Sequence, residues 1–551
     1  MSTREWARAQ FDERNSRTDP QPPSRAHRLP KTDLLALTAL VAAVIFLWGR
    51  GAGKWYWLDE GIAAGISSHP LGEIPALLRQ DGSPPLYYLL LNVWMSTVGS
   101  SETQTHLLSL IFAVATIPAA LWAGWSLFGR RAGWMCAVVA ALNPFLAFYA
   151  NETRMYSLAV LLGVLTVATF SHGFVFRRRR HLPVFAVLLT LLMYTHNWGL
   201  LLAAGAVVAL VPCLMVATDR RALLVDAALA FGAVGALYAP WLPTLLYQWS
   251  EELQPWAQRP TLVVVRDELA ALFGGLEGVV ALGLGVGIGL VSLLRRPWNR
   301  TGAVIAVAAV IPAVVVGAGW LSSVWAYRYL AIVLAPLLLL AGAGLAHGGQ
   351  AGLAALGVAA FVSAPIATKT PPYQKSNARA VMERASASLR PGDAVISPDL
   401  QLVPLLAHYL PDDLRYFTTA GPVPDENIVD WRDSMDRLMR GDPTLTLSPV
   451  IDALAPGSRV LLACPPTSTR LASPRPETIG AVASPGQIGA SDQMSPAPKV
   501  VSPFHQLINR RCDETGVLLI GHPQLRLDLR LLAPSGVTQT AVDGFVLTKL
   551  G

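Results

Sequence analysis

The chain has 551 residues, of which 53% are hydrophobic and only 14% are charged. Soluble globular domains usually carry about 25% charged residues, so much of this chain must occupy a solvent that penalises charge. The formal net charge of +7 does not indicate nucleic-acid binding, because the arginines cluster in short loops between apolar runs. The composition therefore excludes an ordinary soluble protein and predicts no nucleic-acid partner.

Composition divides the chain into three parts. Residues 1–31 are rich in Arg, Asp, Pro and Ser, which predicts a disordered cytoplasmic tail. Residues 32–370 carry apolar runs long enough to cross about 30 Å of hydrocarbon, which predicts a helical membrane domain. In residues 371–551 these runs stop, and short strand-like and helical stretches predict a small α/β domain. A Pro/Ser/Thr-rich insert at 465–503 is expected to be a flexible loop.

Twelve apolar runs are candidates for membrane spans, at 33–50, 84–98, 106–128, 132–150, 154–176, 182–197, 199–217, 222–246, 268–294, 302–322, 328–346 and 350–367. Four basic clusters occur between these runs, at Arg130-Arg131, Arg177 to Arg180, Arg220-Arg221 and Arg295-Arg296 with Arg300. Because each cluster is separated from the next by an even number of runs, all four lie on the same side of the membrane. The positive-inside rule assigns that side to the cytoplasm, together with the basic tail before the first run. If all twelve runs cross, however, the basic tail and the four basic clusters lie on opposite sides of the membrane.

The conflict disappears if the run at 84–98 lies in the interface and does not cross. It is about 15 residues long where about 20 are needed, and it opens with two prolines and carries amphipathic aromatics. Eleven spans then remain, and residues 51–105 form one large external loop. We therefore expect a multi-pass protein of the bacterial inner membrane, with the active site and the C-terminal domain on the extracytoplasmic side.

The external loop begins with adjacent carboxylates, Asp59 and Glu60, directly after an aromatic segment. Glycosyl transfer needs a base that takes the proton from an acceptor hydroxyl, and it needs the charge of the leaving phosphate to be stabilised. A carboxylate at the membrane edge could meet a lipid-linked donor there. The alternative is that the pair consists of solvated loop charges or caps a helix.

A second acidic segment reads Asn151-Glu152-Thr153-Arg154 at the predicted outer mouth of a helix pair. Ionisable groups at membrane depth are costly and usually face a cavity. The alternative is a local ion pair between Glu152 and Arg154.

Taken together, the motifs resemble the GT-C superfamily of membrane glycosyltransferases, and within it the bacterial group similar to protein O-mannosyltransferases and lipid A aminoarabinose transferases. The motifs occur in order as Trp57-Leu58-Asp59-Glu60, Asp81-x-x-Pro84-Pro85-Leu86-Tyr87-Tyr88, Tyr149-x-Asn151-Glu152-x-Arg154-Met155-Tyr156, Tyr194-Thr195-His196 and Tyr327-Arg328-Tyr329-Leu330 with Pro336. The resemblance covers about residues 33–370. It implies a mostly helical GT-C fold of about eleven transmembrane helices and a first external loop with a horizontal helix.

The resemblance also implies roles. The predicted catalytic residues are Asp59, Glu60 and Glu152. Asp59 matches the acidic residue proposed as the base, with Glu60 beside it, and Glu152 matches the second acidic motif. Arg328 matches an arginine that binds the carrier phosphate. Substrate binding is predicted for the other polar and aromatic motif residues, Asp81, Tyr87, His106, Arg154, Tyr156, His196 and Tyr329. Members of the superfamily often have Arg-x-Pro-Ser where this chain reads His106-Leu107-Leu108-Ser109. Either His106 takes the place of that arginine, or phosphate binding relies more on Arg328 and Arg154.

No nucleotide-sugar, Walker or Rossmann motif is found in the sequence, which favours a lipid-linked donor. Some relatives bind a divalent cation; if this chain does, Asp59 and Glu152 are the candidate ligands, although no residue spacing indicates a metal site. A lone interfacial His196 is more often a structural hydrogen-bonding residue than a ligand. Cys464 and Cys512 both lie in the predicted exported domain and are candidates for a disulfide.

Three functions remain open at this point. A glycosyltransferase would move a sugar from a polyprenyl-phosphate donor to an external lipid, glycan or protein acceptor, with inversion. A transporter of lipid-linked sugars should carry polar residues near the middle of several spans, whereas these spans are plain Ala, Leu and Val. A non-catalytic scaffold would not need Asp59, Glu60, Glu152 and Arg328 together. The first function explains the motifs best, and it predicts membrane lipids as further partners.

Overall fold

A computed structural model of the chain describes residues 30–251, 257, 259–294, 298–322, 324–368, 374–465, 502–531 and 542–550. The predicted disordered tail, apart from its last two residues, and nearly all of the predicted flexible insert lie outside the described residues.

Helices make up the first part of the described chain. In chain order they are α1 (Lys31–Gly49), α2 (Leu58–Ser67), α3 (Ile74–Asp81), α4 (Leu86–Thr97), α5 (Glu102–Phe128), α6 (Arg130–Ala141), α7 (Pro144–Tyr149), α8 (Tyr156–Phe170), α9 (Leu182–Thr195), α10 (Gly199–Val208), α11 (Leu210–Val216), α12 (Arg220–Tyr238), α13 (Leu242–Ser250), α14 (Leu262–Ala271), α15 (Leu276–Leu294), α16 (Arg300–Leu321), α17 (Ala331–His347) and α18 (Gly349–Thr368).

Among the described residues, seven helical segments are long and apolar enough to cross a membrane, or up to eight if the bent pair α14 and α15 forms one span. The chain is therefore a multi-pass membrane protein. The predicted number of eleven spans stays a prediction, because several predicted spans are short or broken helices. One break lies between α6 and α7, where Pro144 begins a new helix and the Asn143 side chain accepts a hydrogen bond from the Leu146 N–H.

The run that we predicted to lie in the interface forms the 12-residue helix α4. At a rise of about 1.5 Å per residue, such a helix spans about 18 Å, which is too short for the hydrocarbon core. It follows α3, whose end is formed by Gly82 with a left-handed φ of 93°, and it packs on α2, α5 and α9. Its length agrees with the predicted horizontal helix.

Two of the predicted basic clusters are tied to buried acids at one end of the bundle. Arg130 makes a two-pronged contact with Asp33 in the first turn of α1, at 2.7 Å from Nη2 to Oδ1 and 2.9 Å from Nε to Oδ2. Arg177 and Arg179 both contact the Asp226 carboxylate, at 2.6 and 3.0 Å. We call this end of the bundle the arginine face. Asp59 and Glu60 follow the opposite end of α1, on what we call the site face.

The C-terminal part is a six-stranded sheet flanked by helices. Its elements are α19 (Ala378–Ser386), β1 (Ala394–Ile396), α20 (Val403–Tyr409), β2 (Arg415–Thr418), β3 (Gly421–Pro422), α21 (Ser434–Arg440), α22 (Pro443–Asp452), β4 (Arg459–Cys464), α23 (Pro503–Gly521), β5 (Leu525–Leu531) and β6 (Asp543–Lys549). The strand order is β3-β2-β1-β4-β6-β5, with β1 parallel to β2 and β4, and β6 antiparallel to β4 and β5. Cys464 at the end of β4 is joined to Cys512 of α23 by a disulfide, with Cα atoms 6.0 Å apart.

This C-terminal domain packs directly on the loop that contains α2. Tyr56 and Ala64 belong to the same buried apolar cluster as Leu405 of the domain. The glycines of α2 permit the close approach, since a Cβ on Gly61 would lie 2.8 Å from the Leu405 Cα, and one on Gly65 would overlap the backbone carbonyl of Asn427. The loop, the bundle and the C-terminal domain therefore meet around the first turn of α2.

Candidate active site

The two adjacent carboxylates lie in the first turn of α2, where the unpaired N–H groups of a helix favour negative charge. Successive residues of a helix point about 100° apart, so the two side chains enter different surroundings. Glu60 reaches back to the Trp57 N–H at 3.3 Å. Glu60 therefore caps the start of the helix, as the alternative interpretation predicted, but most of its contacts are with residues outside α2.

Glu60 belongs to a fully enclosed group that we call the inner cluster: Glu60, His106, Glu152, Thr153 and Lys375. The Glu60 Oε1 atom lies 2.6 Å from His106 Nε2 and accepts a hydrogen bond from the Thr153 N–H at 2.7 Å. The Lys375 Nζ atom lies 3.6 Å from Glu60 Oε2 and 3.4 Å from Glu152 Oε1, and all three side chains are 0% exposed. A charge without water around it is tolerated only when it is paired in this way.

The substrate contact predicted for His106 stays a prediction, and the structure shows a fully enclosed side chain. Its Nδ1 atom lies 2.7 Å from the Ala52 carbonyl oxygen, which can only accept, so Nδ1 carries a proton. Its other nitrogen faces Glu60, and one proton must therefore lie in that contact too. The structure thus uses His106 to hold Glu60 in place.

The inner cluster keeps Glu60 ionised. Burial alone would raise the pKa of the Glu60 carboxyl, but the Lys375 ammonium, the His106 ring and the Thr153 N–H together lower that pKa to about 2. A carboxylate held so far below its ordinary pKa is a poor proton acceptor near neutral pH. Glu60 is therefore suited to a structural, charge-pairing role and is poorly suited to act as a general base.

Asp59 belongs to a second group that we call the outer cluster: Asp59, Tyr88, Arg154, Tyr156 and Arg328. The Asp59 Oδ2 atom lies 3.6 Å from Arg328 Nε, and these side chains are 13% and 16% exposed. Arg154 donates to the Asp59 carbonyl oxygen at 3.3 Å and to the Tyr88 hydroxyl at 3.2 Å. Its guanidinium also lies 5.9 Å from the centre of the Tyr156 ring. One carboxylate and two guanidinium groups thus meet where Asp59 and Arg328 keep a small exposed fraction, in contrast to the enclosed inner cluster.

The structure directs Glu152 and Arg154 to different partners. Glu152 faces Lys375 in the inner cluster, whereas the Arg154 side chain turns to Asp59 and Tyr88. The segment 151–154 therefore links the two clusters. The Thr153 N–H donates to Glu60, and the neighbouring Arg154 donates to the carbonyl oxygen of Asp59, the residue before Glu60.

Other predicted substrate-binding residues surround these clusters. Burial raises the pKa of the Asp81 carboxyl, although Ser83 and Arg154 oppose the shift. The Tyr87 hydroxyl is enclosed and lies 3.0 Å from the Ser109 hydroxyl. His196 Nδ1 accepts from the Trp198 N–H at 3.0 Å, and its ring packs on Tyr329 with centroids 4.8 Å apart. Tyr87 and His196 therefore have local structural contacts, and their predicted substrate contacts stay predictions.

The residues do not fit a resident divalent cation. Across the described ranges, no group of three or more His, Cys, Asp or Glu side chains could hold a metal. The two candidate ligands lie in different clusters, with Asp59 beside Arg328 and Glu152 beside Lys375. An ammonium group already lies among the oxygen atoms that a hard cation would use.

Sequence reasoning missed three members of the site, Thr153, Tyr88 and Lys375. Thr153 and Tyr88 both lie within the quoted motifs, each directly beside a residue that we predicted, and this position was the available signal. Lys375 gave no signal, because it lies in a polar segment 224 residues from Asn151, whose carbonyl oxygen its ammonium contacts. A lone lysine after an apolar run ordinarily indicates a solvated charge.

Comparison with solved structures identifies the architecture. ArnT from Cupriavidus metallidurans in the apo state aligns with 79% of the chain and 94% of its own length, at 15% identity and a TM-score of 0.57. The same protein bound to undecaprenyl phosphate aligns with 78% of the chain and 93% of its own length, at 14% identity and a TM-score of 0.56.

The chain has the GT-C fold. The arabinofuranosyltransferase AftD from Mycobacteria aligns with 94% of the chain at 12% identity and a TM-score of 0.50, and the match covers 40% of AftD. No protein-family model matches the chain, and no curated protein matches it in sequence. At such low identity the likeness defines the GT-C fold alone, because one fold can carry several chemistries.

Proposed function

We propose that the chain transfers a sugar from a polyprenyl-phosphate donor to a hydroxyl group of an acceptor on the site face, with inversion at the anomeric carbon. The observation that carries this proposal is the outer cluster, in which an accessible Asp59 carboxylate lies beside the guanidinium groups of Arg328 and Arg154. ArnT, which has the same fold, has been solved with undecaprenyl phosphate bound.

The reaction assigns one task to each charged group of the outer cluster. Asp59 takes the proton of the acceptor hydroxyl as its oxygen forms a bond to the anomeric carbon. The bond from that carbon to the phosphate oxygen breaks, and polyprenyl phosphate leaves with the electron pair. Arg328 and Arg154 stabilise the phosphate charge, since a guanidinium can bind two phosphate oxygens at once.

The contact between Arg328 and Asp59 is weak enough to be exchanged. At 3.6 Å it is longer than a charge-assisted hydrogen bond of about 2.8 Å. A donor phosphate that binds Arg328 would compete for this guanidinium and leave Asp59 available to the acceptor. Donor binding thus prepares the base, which favours binding of the donor before the acceptor.

The orientation follows from the basic loops. Arg130, Arg177 and Arg179 lie on the arginine face, and the positive-inside rule places such residues in the cytoplasm. The site face and the C-terminal domain are then extracytoplasmic, in the plasma membrane of a bacterium, where lipid, glycan and protein acceptors of the cell envelope are available. The transferred sugar is a hexose or a pentose.

Purified full-length protein in nanodiscs, supplied with radiolabelled polyprenyl-phosphate sugars and envelope acceptors, tests the proposal. We expect transfer of label from one of these donors, release of polyprenyl phosphate and an inverted linkage by NMR. Movement of lipid-linked sugar across sealed vesicles without transfer would instead support a transporter. Consumption of nucleotide sugars in place of the lipid donors would also contradict the proposal.

A further inference from the structure

The Lys375 ammonium lies between the two buried acids of the inner cluster. It contacts the Asn151 carbonyl oxygen and lies 3.4 Å from Glu152 and 3.6 Å from Glu60. All three charged side chains are fully enclosed. A lysine loses much side-chain entropy when it is buried, so such a position requires a compensating interaction.

The oxygen atoms around Lys375 resemble those that a divalent cation would use. Two carboxylates and one backbone carbonyl make up the hard oxygen donors that Ca²⁺ and Mg²⁺ prefer. Here the ammonium supplies the positive charge instead. Burial, and next the Lys375 ammonium, lower the pKa of nearby Lys54 to about 8, whereas Glu152 and Glu60 oppose this shift.

The segment that carries Lys375 belongs to the C-terminal part of the chain. Gln374 accepts a hydrogen bond from the Trp55 N–H at 2.9 Å, and Asn377, two residues beyond Lys375, bonds to Val542 beside β6. Tyr409 of α20 and Arg379 of α19 add contacts to Tyr56 and Glu102 around the same loop. The position of the ammonium therefore depends on how the C-terminal domain packs on the loop.

We propose that Lys375 is the resident cation of this site, delivered by the C-terminal domain in the place of a divalent metal between Glu60 and Glu152. Lys375 is a positioning residue. It fixes Glu152 and Glu60, and through the Thr153 contact to Glu60 it fixes the neighbouring Arg154 and Asp59 that act on the substrate. The catalytic part of this inference rests on the proposed function. The replacement of a metal ion by the Lys375 ammonium does not rest on it.

The first test measures metal binding and needs no substrate. Full-length wild-type protein in nanodiscs is titrated with Mn²⁺ and followed by electron paramagnetic resonance, beside Lys375→Ala and Lys375→Ala combined with Glu152→Gln. We expect Lys375→Ala to gain a Mn²⁺ site that wild type lacks and that Glu152→Gln removes. Equal Mn²⁺ binding by wild type and Lys375→Ala would overturn the inference.

The second test measures transfer. Wild-type transfer should be unchanged by EDTA. Lys375→Met keeps the side-chain length without the charge, and it should lower kcat by about 10- to 100-fold with little change in the donor KM, because the reacting groups are displaced and the donor phosphate site is kept. Ethylammonium should restore part of the rate of Lys375→Ala. Arg50→Met removes an equal charge from an exposed position on the same face and should have a much smaller effect.

The inference would also be overturned if EDTA abolished transfer by the wild type and if the wild type bound Mn²⁺ at a site that Glu152→Gln removes. This outcome requires no lysine variant. Thermal unfolding and gel filtration of each variant separate misfolding from displacement of the site. If wild type transfers no sugar from any polyprenyl phosphate, the proposed function fails, and the Mn²⁺ titration still decides whether Lys375 replaces a metal.

Discussion

The inner and outer clusters begin at neighbouring residues and have opposite properties. Glu60 is fully enclosed and contacts His106, Thr153 and Lys375, whereas the Asp59 carboxylate is partly exposed beside Arg328. A buried and fully paired carboxylate cannot change its protonation state cheaply. An accessible one can exchange its partner for a substrate. Adjacent acids in a motif can therefore divide into one that supports the site and one that reacts.

The two clusters also depend on different parts of the chain. The outer cluster draws on the membrane part alone, since Asp59, Tyr88, Arg154 and Arg328 all precede α18. The inner cluster is completed by Lys375, which leads into the C-terminal domain. Changes in the outer cluster should act on the reaction, and changes in the inner cluster should act on stability as well.

The largest effect is expected for Asp59→Asn, which keeps the shape of the side chain and removes the base. We expect kcat to fall by about 10²- to 10⁴-fold with donor binding retained. Steady-state transfer assays and donor binding measure the two quantities. Glu73→Gln is the matched control, because Glu73 is an exposed acid of the same loop and should be neutral.

Arg328→Lys should have the next largest effect. The lysine keeps the charge but loses the two-pronged contact with a phosphate, so we expect the KM for the donor to rise by about 10- to 100-fold. Donor titrations in nanodiscs measure the change. The exposed Arg50 on the same face provides the control variant Arg50→Lys, and an unchanged KM in Arg328→Lys would remove Arg328 from the phosphate site.

Glu60→Gln should affect stability more than chemistry. Removing one charge from a buried pair costs about 3–5 kcal/mol, and the remaining contact of Lys375 with Glu152 should keep the loss at the lower end of that range. Transfer should fall by about tenfold at most, because Asp59 keeps its own partners. Chemical unfolding and transfer rates, measured on the same preparation, check both values. A stable Glu60→Gln protein without activity would reverse the roles assigned to the two acids.

Gly65→Ala should weaken the packing of the C-terminal domain on α2. A Cβ there overlaps the Asn427 carbonyl, so the domain must shift and carry Lys375 with it. We expect a several-fold loss of transfer and a lower Tm. Gly72→Ala is the control, because a Cβ at Gly72 meets no atom within 4 Å. Equal behaviour of the two variants would show that docking does not control the site.

The smallest effect is expected from pH. The folded-state pKa of Glu60 is lowered from 4.5 to about 2, so its contribution to stability is present above pH 4.5 and is lost as the pH falls towards 2. Thermal unfolding between pH 6 and about 3 should therefore show a steeper loss of Tm for wild type than for Glu60→Gln. Parallel curves would show that Glu60 is not held ionised by its neighbours.

Much of the fold could be predicted from local patterns. The apolar runs predicted the membrane helices, and the prolines and aromatics before Asn92 predicted the short helix α4. The α/β character of the C-terminal part followed from its short strands. The number of spans could not be determined in this way, because breaks such as the one at Asn143 and Pro144 divide an apolar run into helices too short to count.

The outer cluster was also accessible from the sequence, since Asp59, Arg154 and Arg328 all lie in recognisable motifs. The inner cluster was accessible only in part, because Glu60, Glu152 and His106 were predicted site residues but their enclosure around Lys375 was not predicted. We predicted His106 to be a substrate-binding residue in the place of an arginine, and in the structure it holds Glu60 and the Ala52 carbonyl. Lys375 contacts residues more than 200 positions away, and no local pattern records such a contact. Burial of charge is a tertiary property, and under the proposed function it decides which of the two adjacent acids reacts.

The central claim is that Asp59 reacts and Glu60 supports it. Single-turnover transfer from a prebound, radiolabelled polyprenyl-phosphate sugar, measured for Asp59→Asn and Glu60→Gln in parallel, tests this claim most directly. We predict that Asp59→Asn binds the donor and barely transfers it, while Glu60→Gln transfers at least about tenfold faster than Asp59→Asn. Transfer by Asp59→Asn at a rate near that of wild type would contradict the account.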